Sequence, residues 1–171
     1  SREAPVLILD YDSTEIVPGG AGNAATNVAA LGGSPAAVGV TGRDETGRRL
    51  LDAMRRRVNV AAVTRPAGYR TPTKTRILAG GVHSAKQQVV RIDRGTRPSF
   101  SDADRRVVES RLGQVCARAD ALLVSDYGTG LVTPAAVARA SRKLSQRSNG
   151  RPPVLVDWRY ALFGFRGRAA S

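Results

Sequence analysis

The chain is poor in cysteine, histidine, aromatic residues and acid. Among its 171 residues stand one Cys, Cys116, and one His, His83. A single thiol excludes an internal disulfide framework, and one Cys with one His leaves no ligand set for a structural zinc site. No apolar run approaches the roughly 20 residues that span a bilayer. No charged start with an apolar stretch and a cleavage site marks secretion. These absences lead to the expectation of a cytoplasmic chain with no membrane partner. The aromatics are one Trp, four Tyr and three Phe, and they do not interleave with basic residues as a base-stacking platform would. Lys and Arg number 27 against 14 Asp and Glu, a formal net charge of +13. Such an excess raises the question of nucleic acid. Yet the basic residues are nearly all Arg and lie scattered. Their longest run, Arg55-Arg56-Arg57, falls at the end of a predicted helix, where cations complement the dipole. Solvated Arg faces that attract phosphorylated small molecules account for the charge. No nucleic-acid partner is expected, and a basic nucleic-acid-binding domain ranks third among the functional readings.

With 42% hydrophobic residues the chain has the makings of a globular core, and its length fits one domain over 1–171. Short apolar strands are expected over 4–9 (APVLIL), 36–42 with the turn that follows, and 60–64 (VAAVT). Asp44 is placed to cap a helix from Glu45 to Arg57 that buries Leu50, Leu51 and Met54. Residues 73–93 are β-rich on both sides of the loop GGVHSAK and are expected to form a hairpin outside the main sheet. From Ser101 the pattern becomes helix, strand, helix, strand. Ser101 and Asp104 form a variant capping box, and Val107, Val108, Leu112, Val115 and Cys116 recur at helical spacing. ALLVS at 121–125 is an apolar strand. Thr133 and Pro134 open a helix to about Gln146, and Asn149-Gly150 turns the chain into VLVD. Apolar strands alternating with helices predict parallel βαβ units and an α/β fold, a mostly parallel sheet flanked by helices.

The most informative stretch is PGGAGNAATNVAALGG, residues 18–33. Gly19 and Gly20 allow backbone angles that a Cβ resists and let a ligand approach the main chain. Asn23 adds donors and an acceptor at a helix start whose free N–H groups suit a polar or anionic ligand. A glycine-rich run of this kind is also simply a tight turn. Asp126 and Asp157 each end an apolar strand. In open α/β sheets ligands bind beyond the carboxyl ends of strands, so both are expected to point at one site. Capping of its own loop is the competing role for each. Gly128 and Gly130 flank a turn whose amides can face a ligand. Lys74, Arg76, Gln88, Arg91 and Asp93 lie on the hairpin, either as ligand contacts or as charges that guard a strand edge. His83 reads as an exposed loop residue, Cys116 as core, and Trp158 and Tyr160 as cover for the crevice or as simple core.

The Gly-Gly pair with its Asn, together with LGG at 31–33 and VGVTGRDETG at 38–47, resembles the N-terminal signature of the ribokinase-like (PfkB) sugar kinases. PTKTRILAGG, QQVVRID and LLVSDYGTGLVTP are similar to the branch that phosphorylates heptose 7-phosphate in ADP-heptose synthesis. The resemblance implies an ATP- and magnesium-dependent kinase of a sugar or sugar phosphate. It implies sugar contacts from Gly19, Gly20, Asn23 and Asp126, and a sugar-phosphate contact from Lys74 or Arg76. Asp157 would lie near the transferred phosphate and its magnesium, with no direct metal ligand in the chain. Residues 73–93 would be a β lid that closes over the sugar and offers a homodimer contact. Thr129 departs from the branch, which usually carries Lys there. The family's catalytic Gly-Ala-Gly-Asp turn has no counterpart here, so no catalytic residue is assigned. Its first strand would precede Ser1. The chain therefore reads as the N-terminal part of the kinase domain, expected to be inactive alone. A non-catalytic sugar-binding or assembly module is the second reading.

Overall fold

The computed structural model describes residues 7–80, 85–95, 100–145 and 152–158. Residues 4–6, His83, Gln146, the Asn149-Gly150 turn and Tyr160 lie outside them. Among the described residues the order is α1 (Ala21–Ala30), β1 (Ala36–Val40), α2 (Glu45–Met54), β2 (Asn59–Thr64), β3 (Thr73–Ala79), β4 (Gln87–Arg94), α3 (Asp102–Cys116), β5 (Leu122–Asp126), α4 (Pro134–Ser145) and β6 (Val154–Trp158). The chain divides into two compact units, Ser1–Ile16 with Pro72–Thr96, and Val17–Thr71 with Arg97–Ser171.

The larger unit is α/β, as the alternating pattern predicts. β1 and β2 run parallel, joined through α2, and β5 and β6 run parallel, joined through α4. Among the described residues these are two separate ladders, not one continuous sheet. α1 touches both β1 and β5, and α3 packs on β1, β2 and α4. The core gathers Leu112 and Cys116 of α3, Leu122 and Val124 of β5, and Val137, Ala140 and Leu144 of α4; Val38 of β1, Val154, Val156 and Trp158 pack against it. Cys116 is a core residue, and burial pushes its thiol pKa up, partly offset by the Lys143 charge.

Local signals explain the helix limits. Asp44 caps α2 by accepting from the Gly47 N–H at 2.9 Å. α2 ends at Met54 rather than Arg57, because the chain must turn there to bury Val58, whose N–H bonds the Met54 carbonyl. The capping box at Ser101 is formed in full, with the Ser101 hydroxyl accepting from the Asp104 N–H and the Asp104 carboxylate accepting from the Ser101 N–H. Thr133 accepts from the Ala136 N–H at 3.1 Å, with Pro134 in the first turn.

The smaller unit contains the antiparallel pair β3–β4, with Thr73 opposite Arg94 and a register shift between Ile77 and Leu78. Every residue of β4 is exposed. Ion pairs join Arg91 to Asp93 and Lys86 to Asp12. The strand expected over 4–9 is not formed at 7–9, where Leu7 and Ile8 stay about 70% exposed. Residues 7–9 join no described ladder, and being exposed they can leave their backbone groups to water.

Candidate functional site

At the start of α1, Gly20 has φ 52°, a left-handed value that favours glycine. It occupies the N-cap position and supplies no side-chain hydrogen bond. The helix therefore begins uncapped by any side chain, and the Gly19 carbonyl takes the Gly22 and Asn23 N–H groups at 3.0 and 3.4 Å. Gly22 leaves room for the Met54 side chain of α2: a Cβ there would lie 3.2 Å from the Met54 sulfur and 3.3 Å from Pro18 Cβ. α1 buries no residue fully, and Asn23 is exposed.

A Cβ built on Gly20 would meet the ring of Tyr127 at 3.7 Å. The glycine-rich helix start therefore lies against the turn that follows β5. In that turn the Asp126 side chain, only 7% exposed, accepts from the Gly128 N–H at 3.0 Å and the Thr129 hydroxyl at 2.9 Å. Gly128 and Gly130 adopt φ 79° and 68°. Arg105 donates to the Gly130 carbonyl and fixes the far side of the turn. Asp126 thus shapes its own loop, the competing role set out above. One bond to each carboxylate oxygen leaves further lone pairs for a ligand. Tyr127 is about half exposed beside Gly20. It was not among the sequence-derived candidates, and its place within DYG is the signal that marks it.

The structure brings together the Gly20 end of α1 and the Asp126 turn. It does not place Asp126 and Asp157 on one side. β5 and β6 are in register with Ser125 opposite Asp157 and Asp126 opposite Trp158. Paired residues share a face and neighbours alternate, so Asp126 faces the core with Leu122 and Val124, whereas Asp157 is exposed on the other face beside Leu155. The expected convergence of the two carboxylates fails by one residue of register. Gly19 is exposed, and a Cβ on it would touch nothing within 4 Å. Lys74 and Arg76 are exposed on β3, opposite Asp93 and Arg91, in the smaller unit.

A second polar cluster holds the Gly-Arg-Asp-x-x-Gly turn. Asp44 accepts from the Thr71 N–H at 2.8 Å and the Thr71 hydroxyl at 2.6 Å, and the same hydroxyl receives the Gly42 N–H at 2.9 Å. Burial raises the Asp44 pKa, but bonds from the Thr71 hydroxyl, the Thr71 N–H and the Gly47 N–H outweigh it, and the carboxyl lies below its ordinary value. This cluster is structural. Among the described residues no group of three or more His, Cys, Asp or Glu is placed to hold a metal ion. Nor is any helix long and apolar enough to cross a membrane.

An α/β chain with a glycine-rich helix start set against a strand's carboxyl end fits the carbohydrate-kinase signature. Residues 2–150 match the family described as pfkB family carbohydrate kinase; the chain belongs to that family. It is similar to the bifunctional protein HldE of Trichlorobacter lovleyi, 40% identical over 158 residues, covering 92% of this chain and 30% of that protein. HldE of Azorhizobium caulinodans is 35% identical over 98% of this chain and 34% of its own length, and that of Geobacter sulfurreducens 38% over 92% and 31%. The chain thus spans about a third of these curated relatives.

Proposed function

We propose that this chain forms the sugar-acceptor side of an ATP-dependent kinase that phosphorylates a sugar or sugar phosphate, with heptose 7-phosphate as the substrate class its motifs favour. The observation that carries this reading is the contact of Gly20 with Tyr127, which sets the start of α1 against the Asp126 turn. The Asn23 side chain donates to sugar oxygens, the spare lone pairs of Asp126 accept from sugar hydroxyls, and the Tyr127 ring offers an apolar face. Gly19 and Gly20 keep the approach open. The phosphoryl donor is ATP, and magnesium, when bound, neutralises charge on its phosphates. Among the described residues no cluster of His, Cys, Asp or Glu is placed to hold that metal. Asp157, on the opposite face from Asp126, is left to the donor side. Exposed Leu78, Val89, Val90 and Ile92 on β3 and β4 support a homodimer contact through this hairpin. A cytoplasmic location belongs to the same reading.

The test is a coupled assay of ADP release. The full-length gene product should phosphorylate heptose 7-phosphate with ATP and magnesium, while residues 1–171 alone should show no sugar-dependent turnover. A full-length product inactive on every sugar phosphate would contradict the reading. Sugar-dependent turnover by the short chain would contradict its assignment to the acceptor side only.

A further inference from the structure

Apart from the α1–β5 site, Arg43, Arg65 and Arg111 line one open depression of about 410 Å³, with Thr64, Val107 and Asp104 at its walls. All three guanidinium groups are anchored from behind. Arg43 Nε donates to the Arg65 carbonyl at 2.9 Å, Arg65 Nε to the Gly42 carbonyl at 2.9 Å, and an Arg111 terminal nitrogen to the Ala61 carbonyl at 2.8 Å. Each bond uses one of five donors and leaves the others to the depression. The one acidic residue there is committed elsewhere. The Asp104 carboxylate accepts from the Ser101 N–H and hydroxyl at 3.0 and 2.7 Å. Among the described residues no ion pair joins any of the three arginines to a carboxylate.

Three permanently charged groups around one concavity outnumber the single Asp104 carboxylate in its wall, and the excess positive charge favours entry of an anion. Guanidinium forks match the oxygens of a tetrahedral phosphate in bidentate fashion. The pre-placed side chains lose little freedom on binding. Among the described residues no aromatic side chain lines the depression, which disfavours a nucleic-acid strand that would need stacking. We propose that Arg43, Arg65 and Arg111 form a binding site for a phosphate dianion, free or as a monoester, separate from the sugar site.

The experiment titrates inorganic phosphate, glucose 6-phosphate and a short single-stranded oligonucleotide into the chain at pH 7.5 and constant ionic strength. Heat and the NMR signals of the arginine side chains are followed. Saturable phosphate binding is expected at the three arginine signals. R43Q and R111Q should each weaken it about tenfold, whereas R142Q on α4 should leave it unchanged. R111K, which keeps the charge and loses the fork, should fall between. Tighter binding of glucose 6-phosphate would identify a monoester as the ligand, and equal binding the free anion. Affinity retained in the folded R43Q and R111Q variants, no saturation, or an oligonucleotide preferred through the same arginines would each overturn the proposal.

Discussion

The Asp44 carboxylate accepts three hydrogen bonds. It caps α2 and holds Thr71, which in turn receives the Gly42 N–H. Asp44→Ala removes a helix cap, about 1 kcal/mol, and strands the Thr71 donors, so a total loss of about 2 kcal/mol is expected in urea unfolding. The pH dependence follows from the depressed carboxyl. Its folded pKa lies below the ordinary 3.8, so as pH falls the unfolded chain takes up the proton first. The stabilisation is complete above that value and disappears as pH drops through the lower folded one. The wild-type chain should therefore lose stability below about pH 4 more steeply than Asp44→Asn, as seen in thermal midpoints across that range. Gly47 is fixed by the same cluster. A Cβ there would collide with the Gly42 carbonyl oxygen and approach the Thr71 and Thr41 hydroxyls at 2.7 and 2.8 Å. Alanine gains about 1 kcal/mol in helix propensity, yet a backbone oxygen cannot move aside as a side chain can. Gly47→Ala should be net destabilising by about 1–3 kcal/mol, and an unchanged urea midpoint would contradict this. The cap at Asp44 was legible in the sequence because capping is local. Thr71, twenty-seven residues away, was not, since no local rule announces a distant partner. The placement of Asp157 escaped for a related reason. A strand's carboxyl end can be read from sequence, but the face it presents depends on register with its neighbour, and a slip of one residue reverses it.

At the scale of elements, both βαβ units, the hairpin and the three caps were readable, because each rests on short-range patterning. The ends of α2 and the fate of residues 7–9 were not, since they depend on burial of Val58 and on pairing. The β3–β4 pair has one strand exposed throughout, whereas β5 buries Leu122, Val124 and Asp126. Two strands alone are marginal in water, and weakly packed elements open first. Amide exchange along β4 should be at least about tenfold faster than in β5. Equal protection would show that this hairpin is held by more than its own ladder. In the turn after β5, Asp126→Ala removes the acceptor for both Gly128 and Thr129. The amides of 127–130 should then exchange faster while those of β1 and β2 do not, a local change that a general loss of stability would not produce.

For the molecule as a whole, membership of the carbohydrate-kinase family rests on most of the chain, while the curated relatives it matches are about three times its length. The role proposed for this chain is binding: the start of α1 and the Asp126 turn together receive a sugar. The most direct measurement is an NMR titration of residues 1–171 with heptose 7-phosphate, following backbone amides. Saturable shifts should gather at 19–23 and 126–130, and Asp126→Ala should weaken the affinity roughly ten- to a hundredfold, as expected for a lost hydrogen bond to a charged group. Saturable binding with those amides unmoved, or binding unaffected by Asp126→Ala in a folded chain, would contradict the account.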